Sequence, residues 1–201
     1  MDGTLWDSRA SIIENWNEVM RRYNLLEKPL LPDNMIPYMG LLATDVLKEL
    51  CPGISEETLN EVLNEIVKNE AKLIRRHGGI LYEKVQETLT NLSQNHELYI
   101  VSNAQNGYIE AFLDYYGFHN LFKDFESHGR TKKDKADNIR LILNRNKLNP
   151  AETVYVGDTQ TDYDSAVKNN LDFIFCNYGF GEITESAENH TINHFYELIE
   201  P

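Results

Sequence analysis

The chain has 201 residues, about 1.3 times an average domain of ~150. That length allows one large domain, or a core carrying a smaller insertion, and excludes a disulfide-stapled miniprotein. Its 19 Lys and Arg against 32 Asp and Glu give a net charge of −13, which argues against nucleic acid as a partner because duplex binding is driven by cations displacing counterions. A small phosphorylated substrate stays open, since one metal ion or lysine reverses the sign of a single pocket. Hydrophobic residues at 41% and aromatics at 10% are those of a folding globular chain. Cys51 and Cys176 lack the spacing of a metal or disulfide framework. With no apolar run of about eighteen residues and no basic-then-apolar leader, the expectation is a cytoplasmic protein without a membrane partner.

From Ser8 to His77 the text reads as helices. Ile12, Ile13, Trp16, Val19, Met20 and Tyr23 recur at three- and four-residue steps, the stripe of an amphipathic helix. Pro29, Pro32 and Pro37 punctuate a loop, and a short helix through Val46, Leu47 and Leu50 stops at Pro52-Gly53. Ser55 followed by Glu56 and Glu57 is an N-cap with acids on the positive end of the next helix. The stripe of that helix is Leu59, Val62, Leu63, Ile66 and Leu73, and it closes on Arg75-Arg76-His77 before Gly78-Gly79.

After Gly79 helices alternate with short apolar strands. A helix around Val85, Leu89 and Leu92 precedes the strand Leu98-Tyr99-Ile100-Val101. A helix with Ile109, Phe112, Leu113 and Tyr116 stops at Gly117 before a weaker strand at Asp124-Phe125-Glu126. A helix around Ile139, Ile142 and Leu143 precedes Thr153-Val154-Tyr155-Val156, and a helix through Ala166 and Val167 precedes Phe173-Ile174-Phe175-Cys176. Strands apolar on both faces and spaced by helices imply a parallel sheet covered on both sides. The predicted fold is α/β, an open parallel sheet with a helical insertion near its N-terminus.

Ligands of such sheets bind beyond the carboxyl ends of the strands, where three polar clusters fall. Asp2-Gly3-Thr4 places a carboxylate and a hydroxyl around a tight turn. Ser102-Asn103 follows a strand directly and reads either as a ligand site or as the N-cap of the next helix. Gly157-Asp158-Thr159-Gln160-Thr161-Asp162 presents two carboxylates four residues apart at a turn-to-helix junction. Hard oxygen ligands so placed suit Mg²⁺, and capping accounts for one of the two acids. Removing Asp158 or Asp162 is expected to weaken metal dependence more than folding. Among Lys132, Lys133 and Lys135, the last opens a helix, where the dipole disfavours a cation, so a local anion is its expected partner. Trp6 reads equally as a pocket wall or as packing at a hinge.

In order, Asp2-Gly3-Thr4-Leu5, Ser102-Asn103, Lys135 and Gly157–Asp162 resemble the four motifs of the haloacid dehalogenase superfamily, over nearly the whole chain. Residues 11–79 resemble the helical cap that one branch inserts after the first motif. Residues 1–10 and 80–201 would form a discontinuous Rossmann-like catalytic core. Within that branch the chain is most similar to phosphoglycolate phosphatase-like proteins, with Met39-Gly40-Leu41 of the cap in support. The resemblance implies a Mg²⁺-dependent phosphatase that hydrolyses a small phosphorylated metabolite through an aspartyl-phosphate. By position, Asp2 would be the general acid/base and, through its carbonyl, a metal ligand. Ser102 and Asn103 would hold phosphoryl oxygens, Lys135 would stabilise the transferring charge, Asp158 and Asp162 would hold Mg²⁺, and Gly3, Thr4 and Trp6 would lie against substrate.

The family pattern is Asp-x-Asp-Gly-Thr, and here x is Met1. The nucleophilic aspartate, and the central strand that carries it, would therefore precede Met1. The alternative is a catalytically inactive member that binds a phosphorylated ligand or a protein partner.

Overall fold

The computed structural model describes residues 1–184 and 190–199; residues 185–189 and 200–201 of the expected core lie outside them. The apolar spacing of the first half becomes three helices, α1 (Arg9–Arg22), α2 (Ala43–Leu50) and α3 (Glu56–His77), with a 3₁₀ segment at Pro32–Tyr38. Ser55 caps α3 by accepting from the Thr58 amide, and Gly78 ends it at φ +64°, a left-handed turn that favours glycine. These helices bury their stripes against one another in a cluster that includes Trp16, Val19, Met20, Leu47, Val62 and Ile66. Burial of such side chains is worth about 1.5–3 kcal/mol each.

Two very short strands tie this helical segment to the rest. Strand β1 (Trp6–Asp7) pairs antiparallel with β2 (Ile80–Leu81), Trp6 opposite Leu81 and Asp7 opposite Ile80. Two residues per strand are too few for a periodicity to announce them. Beyond β2 come α4 (Val85–Leu92), β3 (Leu98–Ser102), α5 (Tyr108–Tyr116), β4 (Phe122–Ser127), α6 (His128–Thr131) and α7 (Lys135–Asn146). Then follow β5 (Val154–Gly157), α8 (Gln160–Val167), β6 (Asp172–Cys176) and β7 (His190–Ile192). The α/β expectation holds, with α6 and β7 added.

The strands are parallel, as predicted, but the sheet is in two pieces: β3 with β4, and β5-β6-β7. Between β3 and β5 lies a cavity of about 590 Å³, lined by Leu98 and Ile100 of β3, Val154 and Val156 of β5, and Ile139 and Ile142 of α7 among others. The Tyr155 hydroxyl reaches across to donate to the Val101 carbonyl at 3.1 Å. The carboxyl ends of β3 and β5, at Ser102 and Asp158, open on a second, smaller pocket, and Met1 lines both spaces. A chain running through the slot toward Met1 would thus be parallel to both edges. Apolar strand residues that a central neighbour would cover stay open, and Val154 is 49% exposed. Among the described residues no helix is long and apolar enough to cross a membrane.

Candidate active site

Asp2, Ser102, Asn103, Lys135, Asp158 and Asp162 line a single pocket of about 110 Å³. They come from the first turn, the end of β3, the start of α7 and the β5–α8 junction, which the sheet topology brings to one edge. The far wall comes from the helical segment and includes Ile12, Trp16, Met35, Val46 and Glu70.

Two carboxylates at this edge have different surroundings. Asp162 sits in the first turn of α8, where the Thr159 side chain accepts from its amide and its Oδ2 accepts from the Thr159 hydroxyl at 2.7 Å and the Thr159 amide at 3.1 Å. Its Oδ1 accepts from Lys135 Nζ at 2.6 Å and the Tyr155 hydroxyl at 3.2 Å. Burial pushes this carboxyl up, but Lys135 and the hydrogen bonds outweigh it and hold the pKa at about 2. Lys135 is itself buried, at the first position of α7 behind the Asp134 cap. The anion that its placement required is Asp162.

Asp158 is 2% exposed and has no side-chain cation as a partner. Thr4 Oγ1 donates to its Oδ1 at 3.0 Å and the Phe180 amide to its Oδ2 at 2.9 Å. Burial first, then Asp162, raises its pKa. A carboxylate can accept about four hydrogen bonds or ligands, so Asp158 retains capacity that a hard cation would satisfy. Asp162 already accepts from at least two donors on each oxygen. Among the described residues no three His, Cys, Asp or Glu side chains converge on a point that would hold an ion. The donor set therefore fits Mg²⁺ at Asp158 more directly than at Asp162.

The Asp2 carboxylate accepts from the Tyr108 hydroxyl at 2.7 Å and from Ser8 Oγ. Ser102 is buried and its Oγ accepts from the Ala104 amide at 3.1 Å. It does not cap the following helix, which starts five residues after Asn103 behind Gly107. Asn103 Nδ2 donates to the Gly40 carbonyl at 2.9 Å, joining the β3 end to the helical segment. Its Oδ1 is buried without a hydrogen-bond partner among the described residues.

Three of the residues expected against substrate lie outside the lining of this pocket. Trp6 is fully buried among Tyr108, Phe112 and Tyr116 in edge-to-face contacts, because its large apolar area is worth more in the core. Thr4 is spent on Asp158. Gly3, at φ +74°, brings the backbone so close that a Cβ would lie 1.9 Å from Asp158 Oδ2. Gly3→Ala is therefore expected to cost about 2–5 kcal/mol through left-handed strain and overpacking, read as a lower urea midpoint; a midpoint unchanged within error would contradict the close approach.

Two pocket residues escaped the sequence reading. Tyr108 precedes Phe112 by one helical turn and reads as core. Glu70 stands four residues after Ile66 and four before Ile74, all three buried on α3. An acid in the middle of an apolar stripe was the available signal.

The family model described as "Haloacid dehalogenase-like hydrolase" matches residues 1–176. A phosphoglycolate phosphatase from Psychrobacter arcticus is 23% identical over 192 residues, 89% of this chain and 81% of its own. The pyrophosphatase PpaX of Bacillus velezensis is 26% identical over 167 residues, 81% of this chain and 73% of its own. The crystal structure of CbbY from Rhodobacter sphaeroides in complex with phosphate superposes with a TM-score of 0.83 at 14% identity, covering 99% of this chain and 93% of that one. A motif order shared across most of the chain, and a fold shared across nearly all of it, lead to one conclusion: the chain belongs to the haloacid dehalogenase-like hydrolase family.

Proposed function

We propose that the chain is the body of a Mg²⁺-dependent phosphatase acting on a small phosphomonoester, with residues 11–79 as the cap over a core of residues 1–10 and 80–201. The observation that carries this reading is the meeting of Asp2, Ser102, Asn103, Lys135 and Asp158 in one pocket. The related phosphoglycolate phosphatase and PpaX agree with phosphate chemistry. A carboxylate supplied directly ahead of Met1, at the end of a strand in the slot between β3 and β5, would attack phosphorus as the bond to the leaving oxygen breaks.

Asp2 would give its proton to that oxygen, then take one from the water that attacks the aspartyl-phosphate and frees inorganic phosphate. Splitting the displacement in two lowers each barrier, and acid–base help of this kind is worth ~10²–10⁴-fold. Ser102 and the Asn103 amide would hold phosphoryl oxygens. Lys135, kept in place by Asp162, would face the transferring charge. Asp158 and the Asp2 carbonyl would hold Mg²⁺, which offsets repulsion between carboxylate and phosphate.

The test is turnover of p-nitrophenyl phosphate by the chain extended with an apolar strand ending in aspartate before Met1. Mg²⁺-dependent release of phosphate is expected, at least about 10³-fold above an Asp-to-Asn version of the same extension. Equal rates would leave the inactive-binder reading standing instead. In the extended chain Tyr108→Phe removes the hydroxyl that steadies Asp2 and should lower kcat about 10-fold with KM little changed; an unchanged kcat would remove Tyr108 from the mechanism.

A further inference from the structure

The pocket is unusual in its charge. Its lining as a whole carries four carboxyl groups, Asp2, Glu70, Asp158 and Asp162. Lys135 is the one cationic side chain among the described lining residues, and it is held at 2.6 Å by Asp162. The only other cation in the lining is the Met1 amino group, which acts on Asp158 and Asp162 on the phosphoryl side. On the cap side the wall is mostly apolar, Trp16 and Tyr38 bringing an indole N–H and a hydroxyl, and its one carboxyl is Glu70, 8% exposed and without a salt bridge among the described residues.

Glu70 occupies a position that packing alone would give to an aliphatic residue, between Ile66 and Ile74. Burying a carboxyl there has a cost. Burial, and after it the nearby Asp2, push its pKa up to about 8 against the influence of the Trp16 indole. Whichever form the carboxyl takes, the wall offers no positive charge to a second anionic group on a substrate. A hydroxyl, which both donates and accepts, is suited to Glu70 in either form. The pocket volume of about 110 Å³ is below the usual ~300–1,000 Å³ of ligand sites, which favours a small leaving group.

Building on the phosphatase reading, we propose that Glu70 is a specificity-determining residue: the site takes phosphomonoesters of small hydroxyl-bearing alcohols and turns away those whose leaving group carries a second negative charge. On this view the chain differs in substrate from what the names of its phosphoglycolate phosphatase and pyrophosphatase relatives describe, despite the common fold. Selection would come from what the wall repels as much as from what it binds.

The experiment is calorimetric titration of the 201-residue chain, with Mg²⁺ present, by 2-hydroxyethyl phosphate, 2-phosphoglycolate and inorganic phosphate. The two esters share the phosphoryl group and a two-carbon tail. The expected result is at least tenfold tighter binding of 2-hydroxyethyl phosphate than of 2-phosphoglycolate, with the ratio falling to about threefold or less in Glu70→Leu, which completes the aliphatic stripe. Glu70→Met, which also lacks a partner for a hydroxyl, serves as a second variant. Circular dichroism checks that both stay folded. Equal binding of the two esters, or an undiminished ratio in folded variants, with phosphate still bound, overturns this inference and leaves the phosphatase reading intact. If neither ester nor phosphate binds, both fall.

Discussion

Lys135→Ala should lower the unfolding free energy by about 3–5 kcal/mol, the usual loss when one partner of a buried ion pair is removed and the other is left unpaired. The pair is short, at 2.6 Å, with both side chains under a tenth exposed. Asp162 also carries the first turn of α8, so the loss should spread to that helix and appear as weaker hydrogen-exchange protection over residues 160–167. A double change, Lys135→Met with Asp162→Asn, should recover part of the stability. A single-mutant loss below about 1 kcal/mol would mean that water reaches Asp162 and that the pair is not effectively buried.

The same pair sets an acid limb. The folded pKa of Asp162, about 2, lies below the usual 3.8. An acid with a depressed folded pKa binds more protons in the unfolded state, so its contribution is present above the unfolded value and lost as pH falls through about 4 toward 2. The shift corresponds to about 2 kcal/mol. In Lys135→Ala that limb should flatten, because the largest influence lowering the pKa is gone. The expectation that removing either metal-site acid would affect metal dependence more than folding thus separates in two. Asp162→Ala is expected to cost folding stability, whereas Asp158, which has no side-chain cation as a partner among the described residues, is the acid whose removal tests metal dependence.

Filling the slot between β3 and β5 should have an equally large effect. Five apolar residues placed ahead of Met1 as a strand would bury side chains worth about 1.5–3 kcal/mol each, against about 1.5 kcal/mol per residue of ordering cost. A net gain of up to about 7 kcal/mol in unfolding free energy is expected, with new ladder bonds to β3 and β5. An apolar dye such as ANS should bind the 201-residue chain at the 590 Å³ cavity and bind the extended chain far less. A polar strand of the same length is the control. If both extensions leave stability and dye binding unchanged, the slot does not accept a strand.

Much of the architecture was legible because it rests on local rules. The stripes of α1 and α3, the Ser55 cap, the glycine stop at Gly78 and the apolar runs at β3, β5 and β6 each depend on neighbours within a turn or two. Ser102-Asn103, Gly157–Asp162 and Lys135 were legible as well, since each follows a strand or opens a helix in the text. The split of the sheet was foreshadowed only by comparing the first motif with a family pattern, because a missing neighbour leaves no mark on the residues beside it.

What the sequence by itself determined was the inventory: which segments are helix or strand, and which residue types stand at the carboxyl edge of the sheet. Tertiary structure decided how they are used. It gave Lys135 to Asp162 rather than to Asp158, sent Trp6 into the core rather than the pocket, and set Tyr108 and Glu70 against Asp2 across long stretches of chain. Local preference depends on a few neighbouring residues, whereas hydrogen-bond partners, burial and the pKa shifts they cause depend on groups brought together only by packing.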